Sequence, residues 1–485
     1  MKTNKTVVQI LVVGVLVISS FASCKKDYFD INNNSNEPSE VAVEYLLPSA
    51  QAAIGHALGN NLQIIGGLYA QYWTQSPAAS QYKGYEQYNP TSSDFDRPWR
   101  ALYANALQDL RAIDAQATEE QANYVAVSKI LQAYSFQLLT DNFGDIPFSQ
   151  ALMGAENTSP AYDPQSQVYD GIIDLLEEGI SKIDEESDIH PAADDLIFHG
   201  DMYYWRSFAN TLLLRVYLRM AYVDPGKAAA GVQSLQDAQF LEEGETALIA
   251  YFNSGGNTNP LYSEIVGLGS TRNLVASATA IDFLNNNNDP RIEIFYAPSD
   301  AGAYVGIPQG AFNVPATTDV SYPGPYTGGN VDDEASAVAP VIFLSSYESL
   351  FLRAEAVARG WMTGSAQEYY ERAITENFIH VGLDDTTASN YYTQTSIAFP
   401  SGGSVEDQIE AIITQKWIAM NGTQSNEAWI EWRRTGYPDF FTVSANSSIG
   451  ANFPVRLPYP SSEVTQNGSF PGQKDITARV WWDVN

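Results

Sequence analysis

The sequence predicts a mainly α-helical protein with one long loop-rich section. Through most of the 485 residues, apolar side chains recur at three- and four-residue spacing, which is the period of an amphipathic helix. Between about residues 251 and 340 this pattern gives way to Gly, Asn, Pro, Ser and Thr, with one clear helical piece at 276–284. Such a stretch is too long for an ordinary loop and too apolar for simple disorder. We therefore expect it to pack on the helices as a cap.

The chain begins with the features of an export signal. Lys2 and Lys5 precede an apolar run over residues 7–18, and this run of twelve is too short to cross a bilayer core, which needs about 20 residues. A cleaved signal peptide over residues 1–23 fits better. Small residues before Cys24 resemble a bacterial lipobox, so we expect Cys24 to carry a lipid anchor of two or more acyl chains. The alternative is an ordinary secretory signal followed by a spectator cysteine.

Beyond the signal, residues 24–40 are predicted to form a polar tether, and the helical domain occupies residues 41–485. The most regular helical pattern lies at 203–222, where Trp205 and Phe208 begin an apolar stripe. In chain order, the predicted helices cover residues 41–73, 99–113, 122–139, 168–183, 203–222, 276–284, 342–360, 366–378, 405–420 and 427–434.

One pair of helices in the C-terminal half indicates how the helices are arranged. Ala366, Tyr370 and Ala373 repeat the A-x3-aromatic-x2-A spacing of the second helix of a tetratricopeptide unit, where small residues let paired helices approach closely. A clear repeat of about 34 residues is absent from the rest of the sequence. Any further units are therefore expected to have diverged in sequence and to carry insertions. The predicted architecture is a superhelical scaffold of tetratricopeptide-like helix pairs under a large loop-rich cap.

Charge and motif content exclude several classes of function. The chain has 57 acidic against 25 basic residues, a formal net charge of −32, which repels phosphate and excludes nucleic acid as a partner. Cys24 is the only cysteine, so disulfides within the chain and thiol catalysis are excluded. The four histidines match no metal-binding spacing, and the sequence has neither a nucleophile elbow nor a P-loop. We expect no cofactor, no metal ion and no enzymatic activity.

Short blocks spread along the chain carry a family resemblance. The most specific block is residues 141–147, DNFGDIP, which fits the pattern D-x-[FY]-G-D-[IV]-P. The other blocks lie at residues 162–170, 205–215, 348–361, 415–419, 427–438 and 456–460. In this order they resemble the blocks of the SusD/RagB family, in the branch described as starch-binding and associating with the outer membrane. The resemblance runs from Leu46 to the C-terminus.

The resemblance implies a function as well as a fold. SusD-like proteins are outer-membrane lipoproteins that bind glycans or similar nutrients and deliver them, uncleaved, to a SusC-like, TonB-dependent transporter. Their fold has four tetratricopeptide-like helix pairs and a cap of irregular loops. We expect the anchor to hold the protein at the cell surface, although Lys25 and Lys26 stand where related lipoproteins often have an acidic stretch.

The family blocks themselves are predicted to be architectural. Gly144 and Pro147 suit a turn, and Arg215, Arg433 and Arg434 suit pairing with buried carbonyls and carboxylates. Ligand contacts are therefore expected from the variable loops.

Aromatic residues in those loops are the candidates for ligand binding. The chain holds 29 tyrosines, and flat rings set among Asn, Gln, Gly and Pro suit stacking on sugars. Two segments stand out, one after the first long helix and one at 296–326. The candidate ligand-binding residues are Trp73, Tyr82, Tyr85, Tyr88, Tyr304, Tyr322 and Tyr326. The alternative is that the tyrosines only pin the loops to the body.

Three hypotheses about function stay open at this stage. The first is a receptor that holds an oligosaccharide on loop aromatics and passes it to a transporter. The second is a protein of the same scaffold that binds peptide or protein. The third is a surface glycan hydrolase, which would need two carboxylates about 5–10 Å apart across a cleft.

Overall fold

The computed structural model describes residues 41–485, and Val43–Asn485 forms one compact unit. The predicted signal peptide, the lipid anchor at Cys24 and the tether at 24–40 lie outside the described residues. Within residues 41–485, every helix is too short or too polar to cross a membrane.

The first predicted helix, 41–73, is divided into shorter elements and ends early. The elements of this region are α1 (Val43–Ala57), a π-helical turn (Leu58–Leu62), α2 (Gln63–Tyr69), β1 (Trp73–Gln75), α3 (Lys83–Glu86), α4 (Asp96–Arg100), a second π-helical turn (Ala101–Leu107) and α5 (Gln108–Gln116). Helix α2 packs very closely on a later part of the chain, because a Cβ atom on Gly66 would lie 2.4 Å from the backbone nitrogen of Asn426. The glycines that interrupt the apolar pattern here are therefore packing positions.

Four helices follow and form the centre of the scaffold. They are α6 (Ala122–Phe143), α7 (Gln165–Lys182), α8 (Met202–Arg219) and α9 (Pro225–Ser234). Helix α6 ends at Gly144, whose φ of 82° is a left-handed conformation that glycine adopts without strain. The Gly144 amide donates to the carbonyl of Thr140 at 2.8 Å. The glycine of the DNFGDIP block thus terminates the longest helix, which confirms the predicted turn at this position.

The loop-rich section contains more regular structure than the sequence predicts. Its elements are β2 (Ala247–Ile249), α10 (Pro260–Gly267), β3 (Leu274–Ala276), α11 (Ala278–Asn286), α12 (Ile292–Phe295), β4 (Tyr296–Ala297) and β5 (Tyr322–Pro323). The single helix expected at 276–284 corresponds to α11, and α10 and α12 are additions. Helix α10 has the start signals of a real helix, since Asn259 Oδ1 accepts from the Leu261 amide at 2.9 Å and Pro260 occupies the first turn.

The C-terminal part returns to helices. Its elements are β6 (Val341–Leu344), α13 (Ser346–Ala358), α14 (Ala366–His380), α15 (Asp385–Tyr392), α16 (Val405–Ala419), α17 (Ser425–Thr435) and α18 (Ser461–Gln466). Helices α13 and α14 pack against each other, and Tyr370 and Ala373 of α14 are fully buried. The helix pair with tetratricopeptide-like spacing is therefore present where the sequence predicts it.

The arginines of the family blocks are buried and paired. Arg433 donates to the backbone carbonyls of Asp141 at 2.8 Å and Val455 at 2.9 Å. Arg434 contacts two buried carboxylates, and Arg215 donates to a buried glutamine side chain. The architectural role predicted for these side chains is confirmed.

Candidate functional site

Three short antiparallel strand pairs organise the loop-rich cap. Strand β1 pairs with β3, with Trp73 opposite Ala276, and β4 pairs with β5. The Ala276 amide also donates to the carbonyl of Ser321 at 2.8 Å, which places the end of β3 beside the start of β5. The segment near position 75 is thereby brought together with segments near positions 275 and 322, which are about 200–250 residues further along the chain.

A cavity of about 300 Å³ lies where these segments meet, and we call it the Tyr322 cavity. Its wall includes Ser76, Pro77 and Ala78 from the loop after β1, and Arg272 and Tyr322 from the ends of β3 and β5. Residues of the 316–320 loop complete it. The volume is at the lower end of the range for small-molecule sites, and it suits one or two sugar rings of a longer chain that extends into solvent.

An arginine fixes the aromatic ring in this cavity. The guanidinium carbon of Arg272 lies 3.9 Å from the ring centre of Tyr322, and Arg272 Nη2 donates to the Tyr322 hydroxyl at 3.2 Å. Arg272 Nε also donates to Asp332 at 2.9 Å. Because the cation covers one face of the ring, a sugar ring that stacks on Tyr322 must use the opposite face.

The cavity is lined by more acidic than basic side chains. Asp300 and Asp319 line it together with Arg272, and the charge of Arg272 is already paired with Asp332. Asp319 in addition accepts hydrogen bonds from the backbone amides of Asp300 at 2.9 Å and Ala301 at 3.1 Å, which fix the loop. An anionic ligand would therefore be repelled by Asp300 and Asp319, whereas a neutral ligand would find hydrogen-bond acceptors.

Of the seven predicted binding residues, Tyr322 alone lines this cavity. Trp73, Tyr82 and Tyr88 are buried, with 0 %, 5 % and 4 % of their surface exposed. Their burial leaves no open face for stacking, which speaks against the prediction that these three rings bind a ligand. They belong to an aromatic core, in which Tyr88 packs on Tyr69 with ring centres 5.8 Å apart.

The other three predicted rings are partly exposed and lie apart from the Tyr322 cavity. Tyr85 stacks on the ring of Tyr82, with ring centres 5.9 Å apart. The Tyr326 hydroxyl is buried, and burial raises its pKa well above the ordinary value. Tyr304 is half-buried in the loop that precedes β5. For these residues, ligand binding stays a prediction.

Sequence reasoning missed Arg272 and Asp332. The sequence does contain a feature that points to Arg272, because residues 251–340 contain only two basic side chains, Arg272 and Arg291. Arg291 is fully buried and pairs with Asp289, whereas Arg272 is 42 % exposed. A lone cation among Tyr, Gly and Ser in a long loop-rich section is thus a useful marker, although exposure separates the two arginines only in the structure.

The scaffold and the cavity define a class of protein, a helical binding protein with a ligand-sized cavity in its loop-rich cap. The chain belongs to the SusD-like family described as starch-binding and associating with the outer membrane, whose model matches residues 35–460. This family consists of binding proteins associated with the outer membrane. No curated protein sequence matches the chain.

Solved structures of similar proteins cover almost the whole chain. A chitin-binding protein is 26 % identical, with a TM-score of 0.75, over 90 % of this chain and 100 % of its own. A SusD homologue from Bacteroides uniformis ATCC 8492 is 26 % identical, with a TM-score of 0.76, over 91 % of this chain and 100 % of its own. A chitin-binding SusD homologue from Flavobacterium johnsoniae, 24 % identical with a TM-score of 0.76 over 90 % and 99 %, supports the fold alone. The predicted family and the predicted mainly α fold are confirmed.

Proposed function

We propose that this protein is a lipid-anchored outer-membrane receptor that binds a neutral glycan at the Tyr322 cavity and passes it uncleaved to a SusC-like, TonB-dependent transporter. The observation that carries the proposal is the Arg272–Tyr322 stack, since it presents one oriented aromatic face in a cavity of sugar-ring size. Stacking on such a face with hydrogen bonds from nearby polar groups is how proteins hold pyranose rings.

The charges around the cavity favour a neutral ligand over a uronic acid. Asp300 and Asp319 oppose an anion locally, and the net charge of −32 opposes it at longer range. A relative that is 26 % identical is a chitin-binding protein. We therefore place N-acetylglucosamine oligomers first among the neutral glycans to be tested, ahead of starch oligomers.

The direct test is titration calorimetry on the chain from Lys25 to Asn485, which retains the whole compact unit. Chitin and starch oligosaccharides are compared with a polygalacturonate and with peptides. We expect saturable binding of a neutral glycan, weakened about tenfold (about 1.4 kcal/mol) in Tyr322→Ala and largely kept in Tyr322→Phe. Binding of peptides alone would favour the second hypothesis, and release of shorter sugars would favour a hydrolase.

The anchor and the transporter call for separate experiments. In the native host, Cys24→Ser is expected to move the protein from the outer membrane to a soluble fraction, because the thiol is the predicted acylation site. A lipidated protein should also co-purify with a large β-barrel protein from detergent-solubilised outer membranes. A Cys24→Ser protein that stays in the membrane fraction would contradict lipid anchoring, and purification without any barrel protein would count against the transporter partnership.

A further inference from the structure

A second cavity, larger than the first, shares no lining residue with the Tyr322 cavity. It has a volume of about 610 Å³ and lies between α1, the segment before α8, and the loop that follows β2. One face of α1 contributes Ala52 and His56 to the wall of the cavity. The segment before α8 contributes Ile197 and His199. This volume is well within the range of small-molecule sites. We call it the Tyr251 cavity, after the half-buried tyrosine of the β2 loop that lines it.

The lining of this cavity is uncharged. None of its fifteen residues is Asp, Glu, Lys or Arg, although these types make up 17 % of the chain. Arg97 and Glu264, the two charged groups that act on His56, form an ion pair of 2.9 Å with each other. Burial and the neighbouring Arg97 lower the pKa of His56, with Glu264 acting in the opposite direction, so this imidazole is neutral at pH 7. A charged ligand would lose hydration here without gaining an ionic partner.

Several polar side chains line the cavity. They are the Tyr251 hydroxyl, the imidazoles of His56 and His199, and the side-chain amide of Asn257. Burial raises the pKa of the Tyr251 hydroxyl, which is therefore protonated at pH 7 and can donate a hydrogen bond. The cavity therefore offers a small number of hydrogen-bonding groups on an otherwise apolar wall, which is the usual composition of a site for a small amphipathic molecule.

The apolar part of the wall favours an aromatic ring over a sugar. Leu248 and Ile249 of the β2 region and Pro260 of α10 form aliphatic surface, which offers few partners for the many hydroxyls of a sugar. Phe252, which also lines the cavity, leaves 64 % of its own surface exposed. An exposed phenylalanine beside aliphatic walls suits a flat apolar ring, because aromatic pairs gain from edge-to-face or offset stacking.

We propose that the Tyr251 cavity binds an uncharged aromatic ring that carries a hydrogen-bonding substituent. A phenolic group attached to a sugar and the side chain of a tyrosine share this chemistry. The proposal is independent of glycan binding at the Tyr322 cavity, since the two sites share no residue.

The test is saturation-transfer NMR with two pairs of matched probes on the chain from Lys25 to Asn485. Phenyl β-glucoside is compared with methyl β-glucoside, and N-acetyl-tyrosinamide with N-acetyl-alaninamide, so that each pair differs in the ring. We expect the ring-bearing member of at least one pair to bind with millimolar affinity and the ring-free members to give no signal. The pair that binds identifies the source of the ring. Failure of both ring-bearing probes to bind at about 10 mM would overturn the proposal.

Two variants place the binding site. Ala52→Trp adds a large side chain at an exposed position of α1 and fills the cavity, so it should abolish the signal without unfolding the protein. Phe252→Ala should weaken binding several-fold.

Tyr45→Ala is the matched control. It removes a ring that is 73 % exposed on α1, the helix that also carries Ala52, and it should leave binding unchanged. Equal binding by Ala52→Trp and the parent protein would place the ring elsewhere and overturn the proposal. Glycan titration of each variant should match the parent protein.

Discussion

The guanidinium of Arg434 forms a bidentate ion pair with the carboxylate of Glu355. Its Nη1 and Nη2 atoms each donate to one carboxylate oxygen at 2.7 Å, and both side chains are buried. Arg434 in addition donates through Nε to Glu431 at 2.9 Å, one turn earlier in α17. Because Glu355 belongs to α13, this buried pair joins two scaffold helices that are separated by about 80 residues of chain.

Removal of Arg434 should destabilise the fold strongly. Arg434→Met removes the one cation within residues 41–485 that contacts both Glu355 and Glu431, and removing one partner of a buried ion pair costs about 3–5 kcal/mol. We expect a loss of that size in the free energy of unfolding, measured by urea denaturation. Arg372→Met is the matched control, since Arg372 pairs with Glu243 at the surface and such pairs contribute about 0–1 kcal/mol. Equal losses in both variants would contradict the assigned role.

A buried carboxyl group should make stability depend on pH. Glu86 is fully buried between Thr74 and Gln309, and burial raises its pKa from 4.5 to about 8. The folded state therefore binds this proton more tightly than the unfolded state does. The stability contributed by the protonated group is fully present below pH 4.5 and is lost as the pH rises to about 8.

The variant Glu86→Gln isolates this effect, because a neutral amide has nearly the shape of the protonated carboxyl group and does not titrate. Relative to the parent protein, Glu86→Gln should gain stability steadily between pH 5 and pH 8.5, as measured by urea denaturation at several pH values. A constant difference between the two proteins across that range would show that Glu86 has an ordinary pKa.

The helical scaffold was predictable because its signal is local. Helices predicted at 168–183 and 203–222 lie at Gln165–Lys182 and Met202–Arg219, since an apolar stripe at helical spacing needs only its own residues to be recognised. Helices without such a stripe, Pro225–Ser234 and Asp385–Tyr392, were missed. The strand at Trp73 was missed for another reason, because its partner Ala276 is about 200 residues away.

The candidate site was predictable only in part. Tyrosine abundance in a loop does not distinguish Tyr322, which lines a cavity, from Tyr82, which is buried in an aromatic core. The difference arises from long-range strand pairing, which also brings Arg272 and Asp332 to the same place. A single sequence contains no direct record of those contacts.

The role of Trp73 follows from its burial. The ring is fully buried and lies so close to Gly67 that a Cβ atom there would be 2.4 Å from Trp73 Cε3. Trp73→Ala should therefore cost about 3–5 kcal/mol of unfolding free energy through the cavity it leaves. At temperatures where the variant is still folded, glycan affinity should change much less than in Tyr322→Ala. A stable Trp73→Ala protein that has lost glycan binding would restore Trp73 as a binding residue.

Arg272 should act on glycan binding through the orientation of Tyr322. The stack between a partly exposed guanidinium and the ring, at 3.9 Å, is worth about 0.5–1 kcal/mol. We therefore expect Arg272→Ala to weaken glycan binding about two- to fivefold, less than Tyr322→Ala does, with an unchanged free energy of unfolding. Arg206→Ala is the control, because Arg206 forms a comparable surface ion pair with Glu185 on the helical scaffold. If Arg272→Ala abolished binding, the guanidinium would be a direct ligand contact; if it had no effect, the ring would hold its position without the cation.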